Sequence, residues 1–479
     1  MKKIKIGTII IFALLLFIPL YKFNFQENAV SEIDNRMLTE NPFCADSEKD
    51  KDDSEEKDTS EDEEEKITEI LENYVQDRIG FREDMIYLYT VANDRLFDKM
   101  VHPTYTYGKD GYVFFKLTKE PDFGEYHIAF VDAIEKIQKY CESRNVPFLF
   151  VFNPAKVTVL QDELSAGINY NNDWVKTFMS ELDDRGINYV DNTSLLEEKT
   201  DEGEVVFNKK YNAGHWNDLG AFYGCNNILT KMQTWYPQLH INEKSEYNIK
   251  EKLNTTLQVS EFPIHEYEPI FELKSAVEDI TKDYEDDLYV DDQYRHFQYV
   301  INEDRKEEGA PKALVFQGSY MNGMGYKFLE NSFGEYISVH DYRNITYFDY
   351  YYNIFQPDCV IFELAEYTLE PVYFTQYDME HIELNPNEQD IEEQAEVISE
   401  SLNQEDVAVG RRGNLCDITV TGIDGNATYV YMKMKGCTYD MRKNEDASYS
   451  VTIDSKNYWN DVEFITYQAG KITKYSLVQ

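Results

Sequence analysis

"KALVFQGSY", residues Lys312–Tyr320, decides how this 479-residue chain is read. Ala313 to Phe316 is an unbroken apolar run with no polar alternation, the mark of a strand buried on both faces. Strands of that kind belong to parallel sheets covered by helices, and the chain supplies more of them. They are "VPFLFVFNP" (Val146–Pro154), the short "INYVD" (Ile187–Asp191), "YISVHDY" (Tyr336–Tyr342) and "DCVIFELAEY" (Asp358–Tyr367). Helical patterns alternate with them: an amphipathic stretch after Gly124 with Ile128, Val131, Ile134 and Ile137 on one face, another over Asp173 to Arg185, and a third from Asp218 to about Trp235 with Asn217 as its N-cap. This order predicts an α/β fold, a mostly parallel sheet sandwiched by helices. Ligands in such sheets bind at the carboxyl ends of the strands, which singles out the residues after Phe152, Phe316 and Phe362.

Ser319 stands at one of those ends. After Gly318, it sits on a sharp strand-to-helix turn, where its own backbone N–H and the helix start are placed to stabilise an oxyanion, with Asn322 as a further donor. A serine hydroxyl is a poor nucleophile at neutral pH and needs a base. "KKYNAGHWNDLGA" (Lys209–Ala221) offers His215 directly before a helix, with Trp216 beside it to pack and hold the imidazole. A base is usually oriented by an acid, yet the two preceding positions are Ala213 and Gly214. Asn212, Asp218 or a distant carboxylate such as Asp341 is left to do it, or a Ser-His dyad works alone, or the fold serves binding without catalysis.

The rest of the chain bounds the setting. Against 46 basic residues stand 90 acidic ones, a net charge of −44 that repels polyanions and excludes nucleic acid as a partner. Lys2, Lys3 and Lys5 precede an apolar run, and Ile4 to Phe23 reaches the roughly 20 residues a membrane span needs. No small-residue cleavage site follows, so residues 1–24 are expected to be a membrane anchor or a signal, with an uncleaved anchor favoured over a removed signal peptide, and the remainder lies outside the membrane. Within 25–66, "DSEKDKDDSEEKDTSEDEEEK" (Asp46–Lys66) holds 13 acids and 4 lysines with no apolar residue, which predicts a disordered spacer. Residues 67–400 are assigned to the α/β domain, with an acidic helix or linker near 388–406. From Cys416 the pattern turns to period-two alternation with Asp-Gly turns, so 407–479 is expected to be a small antiparallel β-sandwich whose aromatics serve either sugar binding or its core. Cys416 and Cys437 flank an expected hairpin at Asp424–Ala427, close enough there for a disulfide worth about 3 kcal/mol. No Cys or His spacing resembles a zinc site, and neither a metal nor a cofactor is expected.

Seven of these pieces, in order over about residues 32 to 370, resemble the alginate O-acetyltransferase or DHHW group of SGNH-hydrolase-like proteins. "EIDNRMLTENP" (Glu32–Pro42) is similar to its post-anchor block, "VQDRIGFRE" (Val75–Glu83) to its D-R…F-R helix and "YGKDGYVFF" (Tyr107–Phe115) to its G-K-D-G-W-L-F turn, with Tyr112 for Trp. "FVFNPAKVTVLQDEL" carries its P-x-K as Pro154 and Lys156, "AGHWNDLGA" its D-H-H-W, "LVFQGSY" its G-D-S nucleophile block and "QPDCVIFELAEYTL" its P-D-x-V-I…E…L. The resemblance implies that Ser319 carries acetyl, that His215 is its base, and that the protein acetylates a cell-surface or exopolysaccharide outside the cytoplasm. It further implies a multi-spanning membrane acyltransferase as acetyl donor, since acetyl-CoA is cytoplasmic. Two departures stand out: the family's aspartates fall on Ala213 and Gly318. They leave two other readings open, a catalytically impaired scaffold that binds polysaccharide or the acyltransferase, and a carbohydrate acetyl esterase using the same residues.

Overall fold

The computed structural model describes residues 2–26, 30–31, 36–39, 71–97, 99–102, 104–117, 122–258, 262–289, 295–458 and 461–478. At its centre lies a seven-stranded sheet, running Tyr189–Asp191, Phe148–Asn153, Cys359–Ala365, Lys312–Gln317, Glu335–His340, Phe297–Ile301 and Glu278–Asp279 from edge to edge. The first five pair in parallel and the last two join antiparallel. Every residue of Phe148–Asn153 and of Cys359–Ala365 is buried, which is why these strands read as unbroken apolar runs. Phe130, Phe150, Phe178 and Phe362 fill the space under helices Glu125–Ser143 and Asp173–Asp184. Leu149, Val151, Val315 and Ile361 pack on the opposite face with Cys225 and Ile228 of helix Asp218–Met232. Truncating one of these phenylalanines to Ala costs about 3–5 kcal/mol, so the sheet is a rigid platform for whatever its carboxyl edge carries.

Two parts of the segment from 243 to 311 resist a periodicity reading. Tyr247–Thr256 and Pro263–Leu273 form a long antiparallel ribbon, the first strand mostly exposed on both faces and the second mostly half-buried with charged residues among its inward positions. Glu278–Asp279 and Phe297–Ile301 extend the central sheet antiparallel at its edge.

The C-terminal sandwich pairs a five-stranded with a four-stranded sheet. Tyr439, Tyr449, Phe464 and Tyr475, aromatics that the sequence leaves open to sugar binding, lie buried in its core. Its first strand is Glu396–Asn403, parallel to Lys471–Val478. This replaces the expected helix or linker there; a helix covers only Glu388–Glu392. The strand hides in the sequence because it is mostly exposed on both faces. The disulfide left open by the sequence is not formed: Cys416 and Cys437 are free thiols. Cys416 lies on a strand of the four-stranded sheet and Cys437 on one of the five-stranded sheet, so the Asp424–Ala427 turn crosses between sheets and closes no hairpin. The sandwich docks on the α/β domain through buried polar groups. Tyr140 and Arg144 both reach the Asp440 carboxylate, at 2.6 and 3.2 Å, and Asn353 brackets the Asp440 backbone.

At the other end Lys2–Tyr21 is a 20-residue helix. Among the described residues no helix is long and apolar enough to cross a membrane. The acidic stretch 46–66 lies outside the described residues, but the chain on either side of it is joined. Arg78 donates to the carbonyls of Gln26 and Thr39 at 2.7 and 2.9 Å, and Asp77 accepts from Thr39 Oγ1 at 2.6 Å.

Candidate active site

Ser319 follows Lys312–Gln317 by one residue and opens a helical stretch, 319–330, whose 321–325 turn is a π-helix. Its Oγ lies 2.7 Å from His215 Nε2. On the far side of the ring, His215 Nδ1 is 3.1 Å from Asn212 Oδ1. That oxygen also accepts the backbone N–H groups of Gly214 and His215, at 3.0 and 2.9 Å. Two backbone donors fix the amide with its oxygen toward the ring, so Nδ1 carries the proton and Nε2 is free to take one from Ser319. Burial pulls the imidazole down to about 4, which keeps it neutral at pH 7. Ser319, His215 and Tyr367 each retain partial exposure, so a substrate can reach them.

The two departures from the family pattern have different structural meanings. Ala213 is packed with Met100, Tyr105, Val113, Leu257 and Phe262, pointing away from the imidazole into an apolar cluster. The orienting side chain therefore comes from position 212, one residue earlier. Gly214 presses on Phe115 so closely that a Cβ would sit 2.5 Å from the ring. The loop is held in this course by groups on three sides. Lys156, fully buried, donates to the carbonyls of Val113, Lys209 and Asn212 at 2.8, 3.2 and 2.9 Å, and burial lowers its ammonium to about 7. Glu266 of the ribbon accepts the N–H groups of Lys209, Lys210 and Tyr211. Tyr320 OH donates toward the carbonyls of Gly214 and Pro154.

Part of the chain is similar to known proteins. Residues 106–259 match the family model of the SGNH hydrolase-like domain of the acetyltransferase AlgX. The α/β part of the chain has an SGNH hydrolase-like fold. Solved structures similar to it include Bacillus cereus PatB1, at 15% identity over 55% of this chain and 96% of that one with a TM-score of 0.42. A DHHW family protein from Eubacterium siraeum aligns at 15% identity over 59% and 96%, TM-score 0.43. Pseudomonas aeruginosa AlgX aligns at 13% over 76% and 90%, TM-score 0.39. No curated protein sequence matches the chain.

Within the SGNH hydrolase-like domain the other expected site residues fall into place unevenly. Trp216 does not hold the imidazole directly. Its Nε1 donates to the Tyr320 carbonyl at 3.0 Å, and the Tyr320 ring lies 5.2 Å from that of His215, so the support is relayed. Asn322 has its Oδ1 engaged by Gln317 at 2.6 Å, leaving Nδ2 as the atom able to face an oxyanion. Asp218 is a structural group, accepting from Phe271 N and Lys327 Nζ, both at 2.8 Å. Asp341 lies beside Gly318, not behind His215.

Tyr367 is the residue that sequence reasoning passed over. Its hydroxyl is 3.0 Å from His215 Nε2 and 3.2 Å from Ser319 Oγ, and burial raises its pKa, so it is a standing proton donor beside the nucleophile. Glu366, next to it, accepts from Ala155 N, Thr158, Tyr170 and Asn172 and so locks the turn that presents it. The rule that ligands sit at strand carboxyl ends points at this turn, since Tyr367 follows the Phe362 strand. Among the described residues no group of three or more His, Cys, Asp or Glu side chains is placed to hold a metal ion.

Proposed function

We propose that this protein is an extracytoplasmic, membrane-anchored O-acetyltransferase acting on a cell-surface or exopolysaccharide through a Ser-His acyl-enzyme. The observation that carries the reading is the 2.7 Å contact from Ser319 Oγ to His215 Nε2, with Nδ1 held by Asn212 Oδ1. In this mechanism Ser319 Oγ attacks the acetyl carbonyl as its proton passes to Nε2. Tyr367 OH, the Ser319 backbone N–H and Asn322 Nδ2 are the donors for the developing oxyanion. The imidazolium protonates the leaving group, then Nε2 deprotonates a sugar hydroxyl that takes the acetyl from Ser319. Replacing the triad aspartate of a serine protease by Asn costs about 10⁴ in turnover because the imidazole then adopts the wrong tautomer. Here Asn212 presents its oxygen, so the tautomer is right and only the charge behind the imidazolium is lost.

Support for the anchor is the apolar Ile4–Phe23 run behind Lys2, Lys3 and Lys5, and the acetyl donor in this reading is a multi-spanning membrane acyltransferase. The missing carboxylate favours a second reading, a scaffold that binds polysaccharide or that acyltransferase. An esterase would use the same residues and release acetyl to water. The test is incubation of the full chain in detergent with a chromogenic acetyl ester, followed by intact mass of wild type and Ser319→Ala. An adduct of about 42 Da, or ester turnover lost in the variant, supports the acyl-enzyme. Equal background in both, with no adduct, moves the assignment to the scaffold. Acetyl appearing on an added oligosaccharide, and not only in water, separates transferase from esterase.

A further inference from the structure

Below the nucleophile turn lies a pair of acids that the mechanism above does not use. Gly318 occupies the position of the family's nucleophile-block aspartate. An ideal Cβ built there would lie 3.4 Å from Asp341 Oδ2 and 3.7 Å from Glu363 Oε2. Two carboxyl groups, from the ends of two neighbouring strands, thus border the place a side chain at 318 would fill. Glu363 accepts the Gly318 N–H at 2.8 Å through Oε2 and Asn153 Nδ2 at 2.6 Å through Oε1. Asp341 is fully buried, and among the described residues neither of its oxygens accepts a hydrogen bond; His340 Nδ1 stands 3.1 Å from Oδ1, an ion pair when that imidazole is protonated. Both Glu363 oxygens already accept N–H groups, so a proton on Glu363 points at another acceptor, and the carboxylate that borders the same turn is Asp341, through the Oδ2 that faces away from the His340 contact at Oδ1.

We propose that Asp341 and Glu363 act as one proton-sharing acid unit that replaces the side chain absent at 318 and positions Ser319 through the Gly318 backbone. This rests on the catalytic reading of Ser319. Both are positioning residues, touching the turn and not the substrate. Burial and the Asp341 charge push Glu363 up to about 8, in keeping with a proton retained at neutral pH. The other titratable groups facing the pair are His340 and, behind it, His296 on the side of Asp341, with the Tyr367 and Tyr320 phenols and the Cys225 thiol on the side of Glu363.

The experiment reads the pair directly. Infrared difference spectra of the full chain over pH 6 to 10 are expected to show a buried protonated carboxyl that ionises with a midpoint near 8. Asp341→Asn removes the like charge and moves that midpoint down by about one unit or more; Glu363→Gln abolishes the band. On the acetyl ester, Asp341→Gly lowers kcat by roughly 10-fold to 100-fold with KM little changed, the scale of a small misplacement of the nucleophile, and adding Gly318→Asp restores it. An absent band in wild type, or a midpoint unmoved in Asp341→Asn, overturns the proposal. So does a double variant that keeps the wild-type circular dichroism melt yet recovers no activity. If wild type turns over no ester, the catalytic reading fails, and the infrared titration still decides whether the acid unit exists.

Discussion

Placing a carboxylate behind His215 tests the site most sharply, because position 212 and position 213 predict opposite outcomes. The family pattern would restore the acid by Ala213→Asp; the structure restores it by Asn212→Asp. An Asp at 212 keeps an oxygen 3.1 Å from Nδ1, with the same two backbone donors and with the Lys156 ammonium 2.9 Å from its own carbonyl. Unit charges at that distance interact by about 5 kcal/mol at an effective dielectric of 20, and solvent access at the partly exposed ring halves this to about 2–3 kcal/mol. His215 should then rise from about 4 to roughly 6, a shift of about two units. Above that pH the ground state is still a neutral base and the imidazolium formed in the transition state is better stabilised, so kcat at pH 8 should increase about 10-fold to 100-fold. The acid limb of kcat/KM should move up by the same two units. Ala213→Asp instead drives a carboxyl among Met100, Tyr105, Val113 and Phe262, costs about 2–4 kcal/mol of stability, and leaves the limb where it is. Histidine Cε1–H titration by NMR reads the pKa in both variants without relying on turnover. A His215 midpoint that moves in Ala213→Asp and not in Asn212→Asp would refute the assignment of Asn212.

The same shift fixes a stability effect. His215 in the folded chain is depressed below its unfolded value of 6.5, so its contribution is complete above pH 6.5 and is lost as pH falls toward 4, about 3 kcal/mol over that window. Denaturant midpoints at pH 7 and pH 4.5 should therefore converge in His215→Gln relative to wild type. Tyr367→Phe is expected to reduce kcat on the acetyl ester about 10-fold with little change in KM, since its hydroxyl serves the transition state; an unchanged kcat removes it from the oxyanion donors. Lys156→Met leaves three loop carbonyls without their donor and should cost about 2–4 kcal/mol in urea titration together with most of the ester activity, through the Asn212 backbone. Arg144→Met strands the buried Asp440 carboxylate, which burial has raised to about 6, and should lower stability by about 3–5 kcal/mol, less so at pH 5 where that carboxyl is protonated. Unfolding without reductant should expose Cys416 and Cys437 to alkylation, seen in a peptide mass map.

Much of the sheet is legible in the sequence because its central strands are buried on both faces, and complete burial leaves a composition signal that needs no partner to be seen. Phe148–Asn153, Lys312–Gln317 and Cys359–Ala365 all show it. Tyr247–Thr256 and Glu396–Asn403 do not, because mostly exposed strands obey neither alternation nor run length, and Pro263–Leu273, only half-buried, places Glu266 and Glu268 among its less exposed positions. Their role is still tied to the site: Glu266 on the ribbon pins three consecutive N–H groups of the loop that leads to His215. The sandwich cysteines mislead for a related reason. An Asp-Gly turn between two apolar runs is equally the sign of a hairpin and of a crossing between sheets, and only the partners of each strand separate the two.

Residue type and position single out Ser319 and His215, which lie in contact, and leave Asn212, Asp218 and Asp341 as groups to orient the base; the choice among them is made by the loop itself. Family spacing counts residues, whereas the imidazole responds to the direction of a side chain. Phe115 against Gly214 and the apolar cluster around Ala213 turn that position inward, and Lys156, Tyr320 and Glu266 hold the turn. Position 212 is thereby brought to Nδ1, and Asn there supplies the acceptor without a charge. The nucleophile turn follows the same logic: the aspartate missing at 318 has its volume bordered by Asp341 and Glu363, contributed by strands that the chain reaches later. Both absent acids thus have polar groups nearby that reach the site from other positions. A pattern match at 213 or 318 therefore says little about activity; the geometry at 212, 341 and 363 is where activity should be sensitive to substitution.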